Sequence, residues 1–170
     1  MMHAMHVRTE INYPSTSPEQ AFALVLDPGF RAAVCQATRA TEFDASISEQ
    51  DDGRASVDVT RTMPADLPDV ARKFIGDTVE VVQTEEWSAP NESGARTADL
   101  TISFKGQPAK MVGTIALESV GDGARMRIVG DVKVSIPFVG RRIEAEVAKG
   151  ILAAAAKEEQ TGLAWLSRQC

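Results

Sequence analysis

Two histidines, two cysteines and twenty-four carboxylates are the side chains from which acid–base, nucleophilic or metal chemistry would have to be built. His3 and His6 both stand at the N-terminal end, ahead of or just inside the first patterned segment. A Ser-His-Asp relay or a histidine general base would have to be assembled from there, and His3-x-x-His6 supplies too few ligands for zinc. Extra chain before the first strand accounts for both. Cys35 has no histidine near it in sequence and falls on the apolar side of a short helix, where a thiol behaves as a small hydrophobe. Cys35 and Cys170 are too few for a disulfide framework, have no metal-type spacing, and read as reduced thiols of a cytoplasmic protein. Gly121-Asp122-Gly123 does not open a helix, so it reads as a hairpin turn and not as a phosphate cradle. These residues yield no catalytic set, metal site or cofactor motif.

What remains is a handful of charges set into apolar patterns. Strand parity puts Arg61 on one face with Val57, Val59 and Met63, and Gln83 and Glu85 on one face with Val79, Val81 and Trp87. At roughly 100° per residue, Ile143, Val147, Ile151, Ala154, Ala155, Gly162 and Trp165 share a helix face, with Glu158 near its middle. Arg61 and Glu158 are therefore expected to face an interior space and either to pair or to hold the polar end of a ligand, because a lone buried charge costs several kcal/mol. The alternative leaves Glu158 beyond the sheet edge and Arg61 near a strand end, both in water. A carboxyl in an apolar pocket has a raised pKa, and only Glu85 and Glu158 stand where a carboxylate alone would do acid–base work. The stretch from Val139 to Gly150 is amphipathic, with Arg141, Arg142 and Lys149, and reads as an ordinary solvated face.

The elements that would position these residues follow from the hydrophobic pattern. His6 to Tyr13 alternates as a half-buried strand with Val7, Thr9, Ile11 and Tyr13 on one side. Ser17-Pro18-Glu19-Gln20 opens a helix with a capping box and a proline at its first position, and Asp27-Pro28-Gly29 ends it. A second short helix is predicted from about Phe30 to Thr38. Phe43 to Ile47 and Ala55 to Met63 form a hairpin around Asp51-Asp52-Gly53. The segment from Pro64 to Gly76, with Pro64 and Pro68, interrupts the sheet as a loop or short helix. Strands resume at Val79–Trp87, Thr97–Phe104, Met111–Val120 and Ala124–Val134, joined by turns short enough to require antiparallel neighbours. After Ile136-Pro137-Phe138-Val139-Gly140, a long alanine-rich helix runs from about Arg141 to the C-terminus.

This order resembles the START-like superfamily, also called SRPBCC, which includes pollen-allergen proteins, lipid-transfer START domains and polyketide cyclases. The residues that carry the resemblance are Ser17-Pro18-Glu19-Gln20-Ala21-Phe22 after the first strand, Ile136 to Gly140 before the last helix, and the closing Trp165-Leu166. The combination is similar to an uncharacterised bacterial branch of the superfamily. The resemblance implies an α+β helix-grip fold: a curved antiparallel sheet of about seven strands, ordered β-α-α-β6-α, around one long C-terminal helix. It also implies a cavity, and carries no assigned reaction. Independently, aromatic residues are only 5% of the chain and the last helix contributes Ala153 to Ala156 in a row, which favours a cavity between sheet and helix unless bulky aliphatic side chains from the strands close it. Its expected lining is Arg61, Val81, Gln83, Glu85, Leu100, Ile102, Ile115, Met126, Ile128, Val147, Ile151, Ala154 and Glu158.

A chain of 170 residues without linker, repeat or low-complexity tract reads as one domain over 1–170, with 1–5 as a loose lead-in. The net charge of −6 lacks the basic footprint of a nucleic-acid binder and the basic face of a protein bound to anionic lipid. No stretch approaches the roughly 18 apolar residues of a membrane span, and none reads as a signal peptide, so a cytoplasmic protein without integral membrane association is expected. The leading expectation is a non-catalytic binding protein for a small hydrophobic molecule or lipid. The alternatives are a cyclase-, dehydratase- or hydrolase-like enzyme using cavity carboxylates, and an interaction module with a filled core.

Overall fold

The computed structural model describes residues 3–65 and 69–169, with no side chain described at 70, 71 or 74. Pro68 and Cys170 lie outside the described residues. The chain begins with strand β1 (Met5–Tyr13) and two short helices, α1 (Pro18–Val25) and α2 (Pro28–Ala37). The hairpin β2 (Glu42–Glu49) and β3 (Ala55–Pro64) follows, then α3 (Asp69–Ile75). Strands β4 (Thr78–Trp87), β5 (Arg96–Phe104), β6 (Ala109–Val120) and β7 (Gly123–Val134) lead to the final helix α4 (Gly140–Ser167). The seven strands form one antiparallel sheet in the order β1-β7-β6-β5-β4-β3-β2, so the chain returns its first strand beside its last.

Local chemistry explains the element starts. Ser17 Oγ accepts from the amide of Gln20 at 3.1 Å while Gln20 Oε1 accepts from the amide of Ser17 at 2.8 Å, completing the capping box. Helix α2 begins at Pro28, two residues before the predicted start. The tripeptide that ends α1 also opens α2: Asp27 Oδ1 accepts from the amides of Gly29 and Phe30, and Pro28 takes the first helical position. The segment after β3 contains α3, the short-helix form of the two expected for it.

Gly113 of β6 stands opposite Gly130 of β7. A Cβ on Gly130 would stand 2.7 Å from the carbonyl oxygen of Val112, and one on Gly113 would collide with that of Val129. Only glycine lets the two backbones come this close. The helix is pinned at both ends. Near its start, the buried carboxylate of Glu144 accepts from the amide of Val134 at 2.9 Å and lies 2.9 Å from His3 Nδ1. Residue 3 of the expected loose lead-in is thus in contact with α4, and Met5 already belongs to β1 opposite Val132. Near its end, Trp165 packs edge-on against Phe30 of α2, with ring centroids 5.9 Å apart. Gly162 lies where the ring of Tyr13 crosses: a Cβ there would be 2.5 Å from Tyr13 Oη. Among the described residues no helix is long and apolar enough to cross a membrane.

Candidate functional site

The space between the concave face of the sheet and α4 is a cavity of about 370 Å³. All thirteen side chains named from the sequence line it. Arg61 comes from β3, and Val81, Gln83 and Glu85 from β4. Leu100 and Ile102 of β5, Ile115 of β6, and Met126 and Ile128 of β7 form the apolar wall. Val147, Ile151, Ala154 and Glu158 face them from α4. The register shows why strand parity works here: Glu85 pairs with Val57 on one side and Leu100 on the other, and Arg61 pairs with Val81, all on the inward face. The lining residues Arg39, Gly150, Ala153 and Lys157 are exposed.

One end of the cavity is polar. Glu85, 2% exposed, is held by three donors. Its Oε1 accepts from Arg31 Nη2 at 2.9 Å and from Trp87 Nε1 at 2.8 Å, and its Oε2 accepts from Gln83 Nε2 at 2.6 Å. Trp87 is itself fixed by the edge of Phe22, with ring centroids 5.3 Å apart. The chain of contacts continues through Gln83 Oε1, which accepts from Arg61 Nη2 at 3.1 Å. Arg61 Nη1 then lies 3.5 Å from Thr38 Oγ1, whose hydroxyl donates back to the last turn of α2. Arg31 Nε donates to the carbonyl of Val25 at 2.9 Å.

The electrostatics follow from this wiring. Burial alone would raise the carboxyl of Glu85. The charge of Arg31 and the hydrogen bonds from Trp87, Arg31 and Gln83 outweigh it and hold Glu85 below the usual carboxylate range. Burial lowers the basicity of Arg31, but the facing charges of Glu85 and Glu158 more than restore it. Glu158 has the opposite fate to Glu85. It is half-buried and lines the cavity, and among the described residues its carboxyl makes no hydrogen bond or ion pair. Burial raises its pKa, Arg31 and then Arg61 pull it down, and Glu85 pushes it up, with a net rise. Burial, aided by Glu158, likewise raises the phenol of Tyr13, whose Oη has no hydrogen-bond partner among the described residues. The nearby thiol of Cys35 is raised by burial too, against the pull of Arg61 and Arg31.

Arg61 and Glu158 therefore share the cavity without forming an ion pair within 4.0 Å, and the buried pair is Arg31 with Glu85. Sequence reasoning missed Arg31, Thr38 and Tyr13 as parts of the polar end. A signal for Arg31 existed, since it falls three and four residues before Val34 and Cys35 on the apolar stripe of α2. Among the described residues no group of three or more histidine, cysteine or acidic side chains is arranged to hold a metal ion.

The fold is that of the START-like (SRPBCC) proteins. A START superfamily protein from Mycobacterium smegmatis superposes with a TM-score of 0.58 at 17% identity, over 96% of this chain and 99% of that one. A STAR-related lipid transfer protein from Xanthomonas axonopodis gives 0.54 at 15% identity, covering 90% and 84%. Norcoclaurine synthase from Thalictrum, solved with a transition-state analogue, gives 0.56 at 15% identity, covering 100% and 99%. At these identities the likeness is one of fold. Among curated proteins nothing matches the sequence. The family model described as "Protein of unknown function (DUF2505)" matches residues 8–166, and the chain belongs to that family.

Proposed function

We propose that this protein binds, and carries, a small hydrophobic molecule or lipid inside the cavity between its sheet and α4. The observation that carries the reading is the cavity itself: about 370 Å³, walled by Leu100, Ile102, Ile115, Met126, Ile128, Val147 and Ile151, with polar groups gathered at one end. Ligand sites are typically concave, mostly apolar, roughly 300–1,000 Å³ in volume, and carry a few placed polar groups that fix orientation. This volume supports binding over a module with a filled core. The fold is shared with a lipid transfer protein, which supports the same reading by analogy. All thirteen lining side chains are assigned to the ligand on this basis, Arg61, Gln83, Glu85 and Glu158 to its polar end and the rest to its apolar body.

The test is native mass spectrometry of the full chain after incubation with a total lipid extract. The reading predicts a one-to-one adduct that organic extraction removes and identifies. A bare mass at every lipid excess overturns it.

A second reading, an enzyme acting on a hydrophobic substrate of the polyketide type, rests on Glu158. A carboxyl raised by burial and left without a hydrogen-bond partner in an apolar cavity is suited to general acid–base work. The same fold in norcoclaurine synthase shows that it can host chemistry in another chain. This reading predicts that extract components change in mass on incubation and that Glu158→Gln stops the change.

A further inference from the structure

The two arginines at the polar end of the cavity are not equivalent. Arg31 is neutralised by Glu85 across 2.9 Å, with side chains 6% and 3% exposed. Arg61 is also buried, at 9% exposure, yet among the described residues it has no carboxylate within 4.0 Å. Its hydrogen bonds run to neutral groups: the amide oxygen of Gln83 at 3.1 Å, more weakly the hydroxyl of Thr38 at 3.5 Å, and the thiol of Cys35, whose pKa burial raises. Its buried Nε has no partner among the described residues. A guanidinium taken out of water without an anion is costly, and the planar fork of arginine matches a carboxylate in a way an ammonium does not. The residue lines the cavity, so a counter-charge can reach it from inside that space.

We propose that the polar end of the cavity receives the single carboxylate head of an amphipathic ligand, with Arg61 as its counter-ion, Glu158 beside it, and the alkyl body along the Ile102, Ile128 and Ile151 wall. This inference deepens the binding reading and depends on it. Charge balance supports it. Arg31 and Glu85 cancel, and Gln83, already donating to Glu85, orients the Arg61 fork through its oxygen. Glu158 is surrounded by Tyr13 from β1, Arg31 and Cys35 from α2, Arg61 from β3 and Glu85 from β4. When Glu158 carries a proton, the polar end has one net positive charge, that of Arg61, and a ligand carboxylate makes it neutral. With Glu158 ionised, the same ligand meets a like charge.

Isothermal titration of the full chain with decanoate, decanol and decylamine separates this inference from the reading it rests on, since the three share one tail. Decanoate is expected to bind at least tenfold more tightly than decanol, with decylamine weakest. In Arg61→Gln, which removes the charge, decanoate should fall to the level of decanol. Decanoate affinity of the parent should fall as rising pH ionises Glu158, and Glu158→Gln, which removes the like charge, should lessen that fall. Equal affinities for decanoate and decanol in the parent protein overturn the head-group assignment while leaving the cavity reading intact. This comparison holds even if Arg61→Gln fails to fold. Decanoate binding that survives Arg61→Gln undiminished also overturns the assignment. Failure of all three amphiphiles to bind overturns both.

Discussion

Glu85 and Arg31 form the most demanding contact in the molecule, because both charges are out of water and each is the other's main compensation. Arg31→Met leaves the carboxylate with two neutral donors and frees the carbonyl of Val25, so a loss of about 3–5 kcal/mol is expected. In a chain of this size that corresponds to a fall in Tm on the order of 10 °C. Replacing both residues by methionine should recover much of the loss, since buried pairs exchange for apolar ones at little net change. The two cavity carboxyls should also act with opposite sign on stability against pH. Glu85 is held below the ordinary range, so its contribution is present above that range and is lost as pH falls through its folded value. Glu158 is held above it, so the folded state keeps its proton more tightly, and stability is lost as pH rises through the raised value. Urea midpoints measured from about pH 3 to about 8 should therefore decline at both ends, and Glu158→Gln should flatten only the higher-pH decline. At this scale the sequence was half legible. Parity on β3 and β4 and phase on α4 put Arg61, Gln83, Glu85 and Glu158 on inward faces. It could not show that Glu85 would choose Arg31, because that choice depends on how α2 lies across the sheet.

Among the elements, two of the three glycines of α4 have opposite consequences. At Gly162 the ring of Tyr13 occupies the side-chain position, so Gly162→Ala must displace a fully buried aromatic residue or lift the helix from β1. A loss of about 1–3 kcal/mol is expected. At Gly150, on the rim of the cavity, an added Cβ meets nothing within 4 Å. Gly150→Ala should therefore stabilise the helix by about 0.5–1 kcal/mol through its propensity alone. Thermal melting of the two variants checks both signs, and equal effects would contradict the packing described for Tyr13. The elements themselves were legible to within a residue or two wherever a period or a cap marked them, as in the capping box at Ser17 and the alternation from Val7 to Tyr13. The start of α2 was misplaced because Asp27-Pro28-Gly29 serves as both stop and start. The Gly113–Gly130 crossing was invisible, since its meaning lies in the register of two strands.

For the whole molecule, the proposed binding space is the cavity walled by one face of the sheet and the inner face of α4. The other face of the sheet is its internal control: Val112 of β6, 54% exposed, lies next to Met111 but points away from the core. The most direct test is a methyl-resolved NMR titration of the full chain, 13C-labelled at isoleucine, valine and methionine methyls, with decanol and with decanoate. Saturable shifts are expected at Ile102, Met126, Ile128, Val147 and Ile151, with Val112 and Val120 unmoved. Shifts confined to Val112, Val120 or other outer methyls, or none at saturating amphiphile, would contradict binding in this space.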